Sequence, residues 1–418
     1  MNLMKFELKK MLTTRVMIIS MVGVFLLNLY SVLLGEQYDP SVYCASAPAL
    51  QTEISRLQEE MEYFAGEINA QWAEKYRGEA NAIRNDPANF VSDEEKEHIR
   101  RDVYGNLTDE AFDEIGNFKY LRESVLHSRE YQKYEDAEFS ARFYELAERT
   151  GLTLAETYRY RFPGEKGDVL AAKAEKMYGY MANEYTAYYN YDWGWHKFRN
   201  LHLTYPFTIG LIILIALAPL FASEYSGKTD ALLLSSKHGK KRLIHAKIGA
   251  GFLFAALSWA IVTLTNIVLV FSIYGTQGAD AYWQDWMVNW SPFPWNQLQI
   301  TLVTLATSFL GALLVAGFIM LLSAFSKSQF IALLTGIILL LLPIFSFAFS
   351  GSELFQRIYN FLPTRVLTAF VIWQDFSPVY LFGRAVHIQH IIIVFSFAII
   401  MAGIFGCFYK FKNHQVEN

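Results

Sequence analysis

The chain has 418 residues, of which 53% are hydrophobic and only 18% are charged. A soluble enzyme normally carries about a quarter charged residues, so this composition argues against a wholly soluble protein. The formal net charge of −4 also conceals a split, because the acidic residues are concentrated in residues 36–200 and the rest of the chain is net positive.

Six apolar runs are each close to or longer than the roughly 20 residues that cross about 30 Å of hydrocarbon. They are residues 16–35, 203–222, 248–274, 298–324, 329–349 and 387–409. Pro343 in the fifth run is compatible with a kinked membrane helix. The first run resembles a signal peptide, but it has no clear cleavage site, so we expect a retained anchor. The sequence predicts an all-α membrane protein with six transmembrane helices.

The basic residues predict the orientation of these helices, because lysine and arginine mark the cytoplasmic side. They flank the first run, fill the loop at 223–247 and follow the sixth run at 410–418. We therefore expect a plasma-membrane protein with both termini in the cytoplasm, and a cytoplasmic amphipathic helix at 1–15. Residues 36–200 are then a large extracellular insert between the first and second helices.

The insert shows helical periodicity and no alternating strand pattern. Residues 54–76 read as one amphipathic helix, and Ser92 with Glu95 forms a capping-box pattern. Residues 108–151 predict a long or broken helix that ends near Gly151, and a tyrosine-rich helix follows at 167–195.

Two loops between the later spans carry aromatic residues. Trp283, Trp286 and Trp290 are spaced to share one face of a short helix at the outer membrane interface. This spacing is typical of an aromatic belt, and the alternative is a lipid-facing gate for an amphipathic substrate. Residues 350–386 contain an amphipathic segment interrupted by Pro363, for which we predict a re-entrant or surface helix.

Polar residues within the spans are few. Asn266 lies in the third run, and Thr301, Thr304 and Ser308 share one face of the fourth. Such a stripe indicates either close helix packing or the lining of a translocation pathway.

Several catalytic and binding motifs are excluded. The Gly-Lys-Thr at 227–229 lacks the glycine five positions earlier that a phosphate-binding loop requires, because that position is Ala222. His387 and His390 have ligand spacing without a third ligand, and there is no CxxC motif. The basic loop lacks the interleaved aromatics of a nucleic-acid site. We therefore predict no catalytic residue, no metal, no nucleic-acid partner and no cofactor bound by this chain.

The loop between the second and third spans carries three consecutive leucines, Leu232 to Leu234, which need lipid or a protein partner to cover them. Its pattern F-x-x-E-Y-x-G-x-T-x-x-L-L-L-S-S-x-x-G-x-x-x-L-I-x-x-K closely resembles that of ABC-2 type transporter permeases, especially those of Gram-positive bacteria. The resemblance extends to the six-span plan, the start MNLMKFELKKML and the FLP segment before the sixth span. A proline that many members carry in this loop is absent here.

This resemblance implies that the loop and the N-terminal helix dock onto a separate ABC ATP-binding subunit, which binds ATP and magnesium. The implied coupling residues are Glu224, Tyr225, Gly227, Thr229, Leu232, Leu233, Leu234 and Lys247. The unit would be a dimer with a second permease copy or a paralogous permease. Two functions remain open at this point. One is the membrane subunit of an ATP-driven exporter of an amphipathic, peptide or lipid-like substrate. The other is a membrane sensor or scaffold whose insert binds a ligand and whose cytoplasmic loop recruits a partner.

Overall fold

The computed structural model describes residues 3–33, 47–105, 107–108, 110–111, 115–226, 239–284, 291–342 and 358–412. The described chain is predominantly helical, with two small antiparallel sheets. The insert contributes one set of helices, and the other long helices form an apolar bundle.

The elements up to the end of the insert are α1 (Leu3–Leu12), α2 (Arg15–Leu33), α3 (Ala47–Phe64), β1 (Gly66–Glu67), α4 (Ala70–Asn85), α5 (Asp93–His98), α6 (Glu123–Leu126), α7 (Arg129–Ala141), α8 (Phe143–Arg161), α9 (Glu165–Asn183) and β2 (Tyr188–Tyr189). The remaining elements are α10 (Trp193–Leu201), α11 (Tyr205–Leu217), α12 (Pro219–Ser226), α13 (Gly239–Tyr274), α14 (Gln297–Phe325), α15 (Gln329–Leu341), α16 (Pro363–Thr368), α17 (Phe370–Gln374), β3 (Pro378–Leu381), β4 (Arg384–His387) and α18 (Ile388–Lys412).

Four stretches are long and apolar enough to cross a membrane: Trp193–Ser226, α13, α14 and α18. The pair formed by α1 and the start of α2, bent by 62°, is a fifth if it is counted as one span. With that pair, the stretches coincide with five of the six predicted spans. The sixth prediction, residues 329–349, falls on the 13-residue α15, and its end lies outside the described residues.

The ends and breaks of the bundle helices have identifiable causes. Asn296 and Gln299 form a reciprocal capping box that starts α14. The break between α11 and α12 falls at Pro219, which cannot donate a backbone hydrogen bond. Ser323 of α14 stabilises this break, because its Oγ accepts from Phe221 N at 2.9 Å and donates to Ala218 O at 2.7 Å. A neighbouring hydroxyl thus replaces part of the lost helical bonding.

Glycines allow the bundle helices to approach closely. A Cβ on Gly403 of α18 would lie 3.1 Å from the carbonyl oxygen of Gly317 of α14. A Cβ on Gly311 of α14 would collide with the backbone of Leu367 in α16. The short helix α16 therefore packs against the middle of a membrane-spanning helix.

The insert has its own core, and this core corrects the prediction of one helix over 54–76. The helical conformation is interrupted at residues 65–69, and β1 within this segment pairs with β2. Asn69 then caps α4 by accepting from Trp72 N, while Trp72 Nε1 donates to Phe64 O at 2.8 Å. The break places Phe64, Ile68 and Trp72 in one buried cluster.

The predicted helix end near Gly151 is also wrong, because α8 continues to Arg161. Gly151 is instead a packing position. A Cβ there would lie 2.6 Å from Cβ of Tyr178, so glycine lets α8 and α9 form a tight hairpin. The Ser92 cap is present, since its side chain accepts from Glu95 N.

An unpredicted hairpin of β3 and β4 connects the insert to α18. Its turn places Phe382 and Gly383 at positive φ, as a two-residue hairpin requires. Tyr380 donates to Glu165 Oε1 at 3.2 Å, and His387 Nε2 lies 2.9 Å from Met177 Sδ, both on α9. The hairpin therefore clamps α9 against the start of α18.

Candidate functional site

A buried charged cluster joins α1, α12 and α13 at one end of the bundle. Lys247 of α13 is fully buried, and its Nζ donates to Glu224 Oε1 at 2.9 Å and to Leu220 O at 2.8 Å. Glu7 Oε2 of α1 lies 3.5 Å from the same Nζ. We call Glu7, Leu220, Glu224 and Lys247 the Lys247 cluster.

The local structure explains how these groups meet. The break at Pro219 starts a new helix, α12, which presents both the Leu220 carbonyl and the Glu224 carboxylate to α13. Phe221 adds its ring 5.9 Å from Lys247 Nζ. The ammonium thus receives a charged and a neutral acceptor from one short helix.

The Lys247 cluster buries three charged side chains. Two carboxylates surround one ammonium, and Glu7 and Glu224 are 5% and 7% exposed. Breaking a buried ion pair by removing one partner is strongly destabilising, because the remaining charge stays buried. The cluster is therefore a firm link between the N-terminal helix and the two helices that border residues 227–238.

The sequence analysis did not identify Glu7. The available signal was a single acidic residue in a helix whose other charges, Lys5, Lys9 and Lys10, are all basic. Only Glu7 and Met11 of this helix are buried, so the acid lies on its packed face.

The structure brings together two of the residues that the resemblance implied and packs a third against α18. Glu224 and Lys247 form the ion pair, and the ring of Tyr225 lies 5.9 Å from that of Phe411 on α18. Outside the described residues lie Gly227, Thr229 and the three leucines Leu232, Leu233 and Leu234.

The polar residues within the spans divide into packing and cavity-lining groups. Ser308 accepts from Trp259 Nε1 at 3.2 Å, so it packs α13 against α14. Thr301 and Thr304 line a cavity of about 10 Å³ together with Arg199 and His202, and Phe198, Ile300 and Phe370 complete it. Such a volume holds about one water molecule.

Two of these polar groups have unmet hydrogen bonds within the described chain. Asn266 is fully buried, and neither its Oδ1 nor its Nδ2 has a partner there. Thr304 Oγ1 is also buried and has no hydrogen-bond partner among the described residues. Unsatisfied polar groups at membrane depth cost several kcal/mol, so these positions are natural places for water or a polar ligand.

A second polar network, which the sequence analysis missed, lies at the insert end of the bundle. Arg199 donates to Gln297 Oε1 and to His196 Nδ1, and Gln297 Nε2 donates to Asp192 Oδ2. This network ties α10 to the start of α14. Arg199 falls at the end of the segment assigned to the insert, and the sequence does not show that its side chain is buried in the bundle.

The tryptophan prediction does not hold for Trp283. This residue lies outside any helix, is 3% exposed, and donates from Nε1 to Phe293 O at 3.1 Å. Its indole is part of a packed aromatic cluster and not of a surface belt. Trp286 and Trp290 lie outside the described residues.

His387 and His390 lie in two different secondary-structure elements. His387 ends β4 and His390 lies in α18, so the two do not share a helix face, although their rings lie 6.1 Å apart. In the part of the chain that the structure describes, no group of three or more His, Cys, Asp or Glu side chains is arranged to hold a metal ion.

The apolar helices and the charged cluster at one end define a multi-pass membrane protein. Residues 1–385 match the family model of the ABC-2 family transporter protein, and the chain belongs to this family. The match includes the Lys247 cluster, the insert and α16, and it ends within β4. No curated protein and no solved structure matches the chain. Members of the family are membrane subunits of transporters and are not themselves catalytic.

Proposed function

We propose that this chain is the permease subunit of an ATP-driven exporter. A separate ABC ATP-binding subunit hydrolyses ATP, and the permease moves an amphipathic, peptide or lipid-like substrate out of the cell. The observation that carries this proposal is the Lys247 cluster, because it joins α1 and both helices that border residues 227–238.

The cluster supports a mechanical coupling. The ATP-binding subunit grips the loop at 227–238 and the adjacent face of α1. Since Lys247 holds α12, α13 and α1 together, a displacement of the loop moves all three. The 36 residues of α13 extend about 54 Å, which is more than the thickness of a bilayer. A movement at the Lys247 end therefore reaches the polar positions near Asn266.

The proposed arrangement places the Lys247 end and both termini in the cytoplasm and the insert outside. Basic residues concentrate near the Lys247 end, whereas the insert is acidic. Asn266, Thr301 and Thr304 lie between these two ends, so they are candidates for the pathway. Pairing with a second permease copy or a paralogous permease would complete that pathway.

Co-purification tests the coupling. The tagged chain is purified from its native membranes, and a co-purifying ATP-binding subunit is identified by mass spectrometry. Glu224→Ala and Leu233→Asp are expected to abolish recruitment while the permease remains in the membrane. Glu145→Ala is the matched control, because Glu145 is an acid on the insert that pairs with Arg142. Unchanged recruitment in both variants would reject the assignment.

Cysteine labelling tests the orientation. Single cysteines at positions 238 and 120 are introduced after replacement of Cys44 and Cys407. A membrane-impermeant maleimide applied to intact cells is expected to label position 120 and spare position 238. The reverse pattern would overturn the arrangement.

A sensor or scaffold remains the second candidate, and one feature of the insert favours it. An open cavity of about 360 Å³ is lined by Arg84, Asn85, Asn117 and Phe118, among other residues. This size is within the range of ligand pockets. A sensor would bind its ligand without an ATP-binding partner, so the same co-purification separates the two functions.

A further inference from the structure

Arg365 lies on α16 at the depth of the bundle centre. The backbone of Val366 and Leu367 occupies the space beside Gly311, which is the middle residue of the 29-residue α14. At 1.5 Å per residue, Gly311 lies about 20 Å from either end of that helix. Arg365 therefore carries its charge beside the central part of a membrane-spanning helix.

The described residues satisfy the hydrogen-bonding groups of this side chain only in part. Arg365 Nε is buried and has no hydrogen-bond acceptor among the described residues, and Asp375 attracts the guanidinium without forming an ion-pair contact with it. The neighbouring Thr364, 4% exposed, also has an Oγ1 without a partner there. The contact that the guanidinium makes is with the ring of Tyr359, 5.0 Å away. A cation–π contact offsets only part of the cost of a charge at this depth.

Two buried cations of the bundle have acceptors within the chain. Lys247 has carboxylate partners, and Arg199 has the Gln297 and His196 side chains. Arginine presents five donors in a planar fork that matches the oxygens of a phosphate or carboxylate. An anion from outside the described chain would supply the acceptor that Arg365 Nε lacks.

The surroundings of Arg365 indicate the other half of the ligand. Phe361 packs its ring 4.9 Å from Phe395 on α18. Phe395 is 43% exposed and Ile358 is 57% exposed, so this side of the bundle presents apolar surface. In a membrane protein such a surface faces acyl chains. A ligand that reaches Arg365 from here would carry an apolar body behind its anionic group.

We propose that Arg365 binds the anionic group, a phosphate or carboxylate, of an amphipathic molecule held in the membrane. Tyr359 orients the guanidinium, and the apolar surface of Phe361 and Phe395 receives the chains. This proposal deepens the proposed function by naming the chemistry of the substrate headgroup. It rests on the membrane location and not on the ATP-binding partner.

Lipid binding to the purified full chain tests the proposal. Native mass spectrometry in detergent, without ATP or any partner, compares dioleoylphosphatidylglycerol with dioleoylphosphatidylcholine. Charge-assisted hydrogen bonds predict a preference of about 10-fold or more for the anionic lipid. Arg365→Gln is expected to remove this preference, whereas Arg365→Lys retains part of it. Arg384→Gln is the matched control, because Arg384 lies on the exposed edge of the hairpin.

Competition then identifies the source of the anion. Displacement of the anionic lipid by oleate and not by inorganic phosphate assigns the site to membrane amphipaths. Displacement by inorganic phosphate alone would show that soluble anions occupy it and would overturn the amphipathic ligand. Equal binding of both lipids by the wild-type protein, or an unchanged preference in Arg365→Gln, would overturn the anion site. Since no nucleotide is present, a failed coupling to ATP leaves this result unaffected.

Discussion

Lys247 and Glu224 are 23 residues apart, yet Nζ and Oε1 lie 2.9 Å from each other across the segment 227–238. Both residues belong to the loop pattern that resembles ABC-2 permeases, and the structure shows one reason for that pattern. The acid and the base close the two helical ends of the loop onto each other. The loop is therefore anchored at both ends, and a force applied to it reaches α12 and α13 together.

Lys247→Met is expected to destabilise the protein by about 3–5 kcal/mol, because it removes the buried ammonium that both carboxylates of the cluster contact. Glu7→Gln is expected to have a much smaller effect, since it leaves the Lys247–Glu224 pair intact. Thermal unfolding of the purified variants in detergent measures the difference. Equal losses in the two variants would contradict the central place of Lys247 in the cluster.

The membrane helices were predictable from the sequence because long apolar runs leave the chain few alternatives. The runs that contain Asn266, Ser308 and Cys407 all correspond to long helices. The break at Pro219 was not predicted, because its stabilisation comes from Ser323, more than a hundred residues later. Helical periodicity reports the exposed and buried faces of a segment, whereas a break depends on a distant partner.

The insert was harder to predict for the same physical reason. The helix over 54–76 was wrong because β1 pairs with Tyr188 and Tyr189, which are distant in sequence. The hairpin of β3 and β4 has only four residues per strand, too few for a clear alternation. Glu224 and Lys247 were found through the loop pattern, whereas Glu7 becomes evident only when α1 is packed.

The α8–α9 hairpin offers a paired test of glycine packing. Gly151→Ala places a Cβ 2.6 Å from Cβ of Tyr178 and is expected to destabilise the insert by about 1–3 kcal/mol. Gly179→Ala meets nothing within 4 Å and is expected to stabilise it by roughly 0.5–1 kcal/mol, because alanine favours helix. Thermal unfolding followed by circular dichroism measures both. The same sign in both variants would contradict the packing at Gly151.

The contact between α14 and α16 can be tested in the same manner. Gly311→Ala collides with backbone atoms of Leu367, which cannot rotate away as a side chain would. Gly317→Ala meets its nearest neighbour, Phe252, at 3.7 Å, which is an ordinary contact. We expect Gly311→Ala to lower the yield of folded protein and the unfolding temperature, and Gly317→Ala to behave like the wild type. A tolerated Gly311→Ala would show that α16 does not lie against α14.

His387 gives the contact between the hairpin and the insert a pH dependence. Burial, with Lys173 and His390 nearby, lowers the pKa of His387 to about 4, compared with about 6.5 for an exposed histidine. Between these values the unfolded chain binds a proton that the folded protein does not, so folding stability falls as the pH drops. The contribution is complete above about pH 6.5 and declines towards pH 4.

We expect His387→Gln to flatten this part of a plot of unfolding temperature against pH, measured from pH 7.5 to 5. His127→Gln is the control, because His127 is exposed on the insert. An unchanged slope in His387→Gln, or the same flattening in His127→Gln, would show that the pH dependence arises elsewhere.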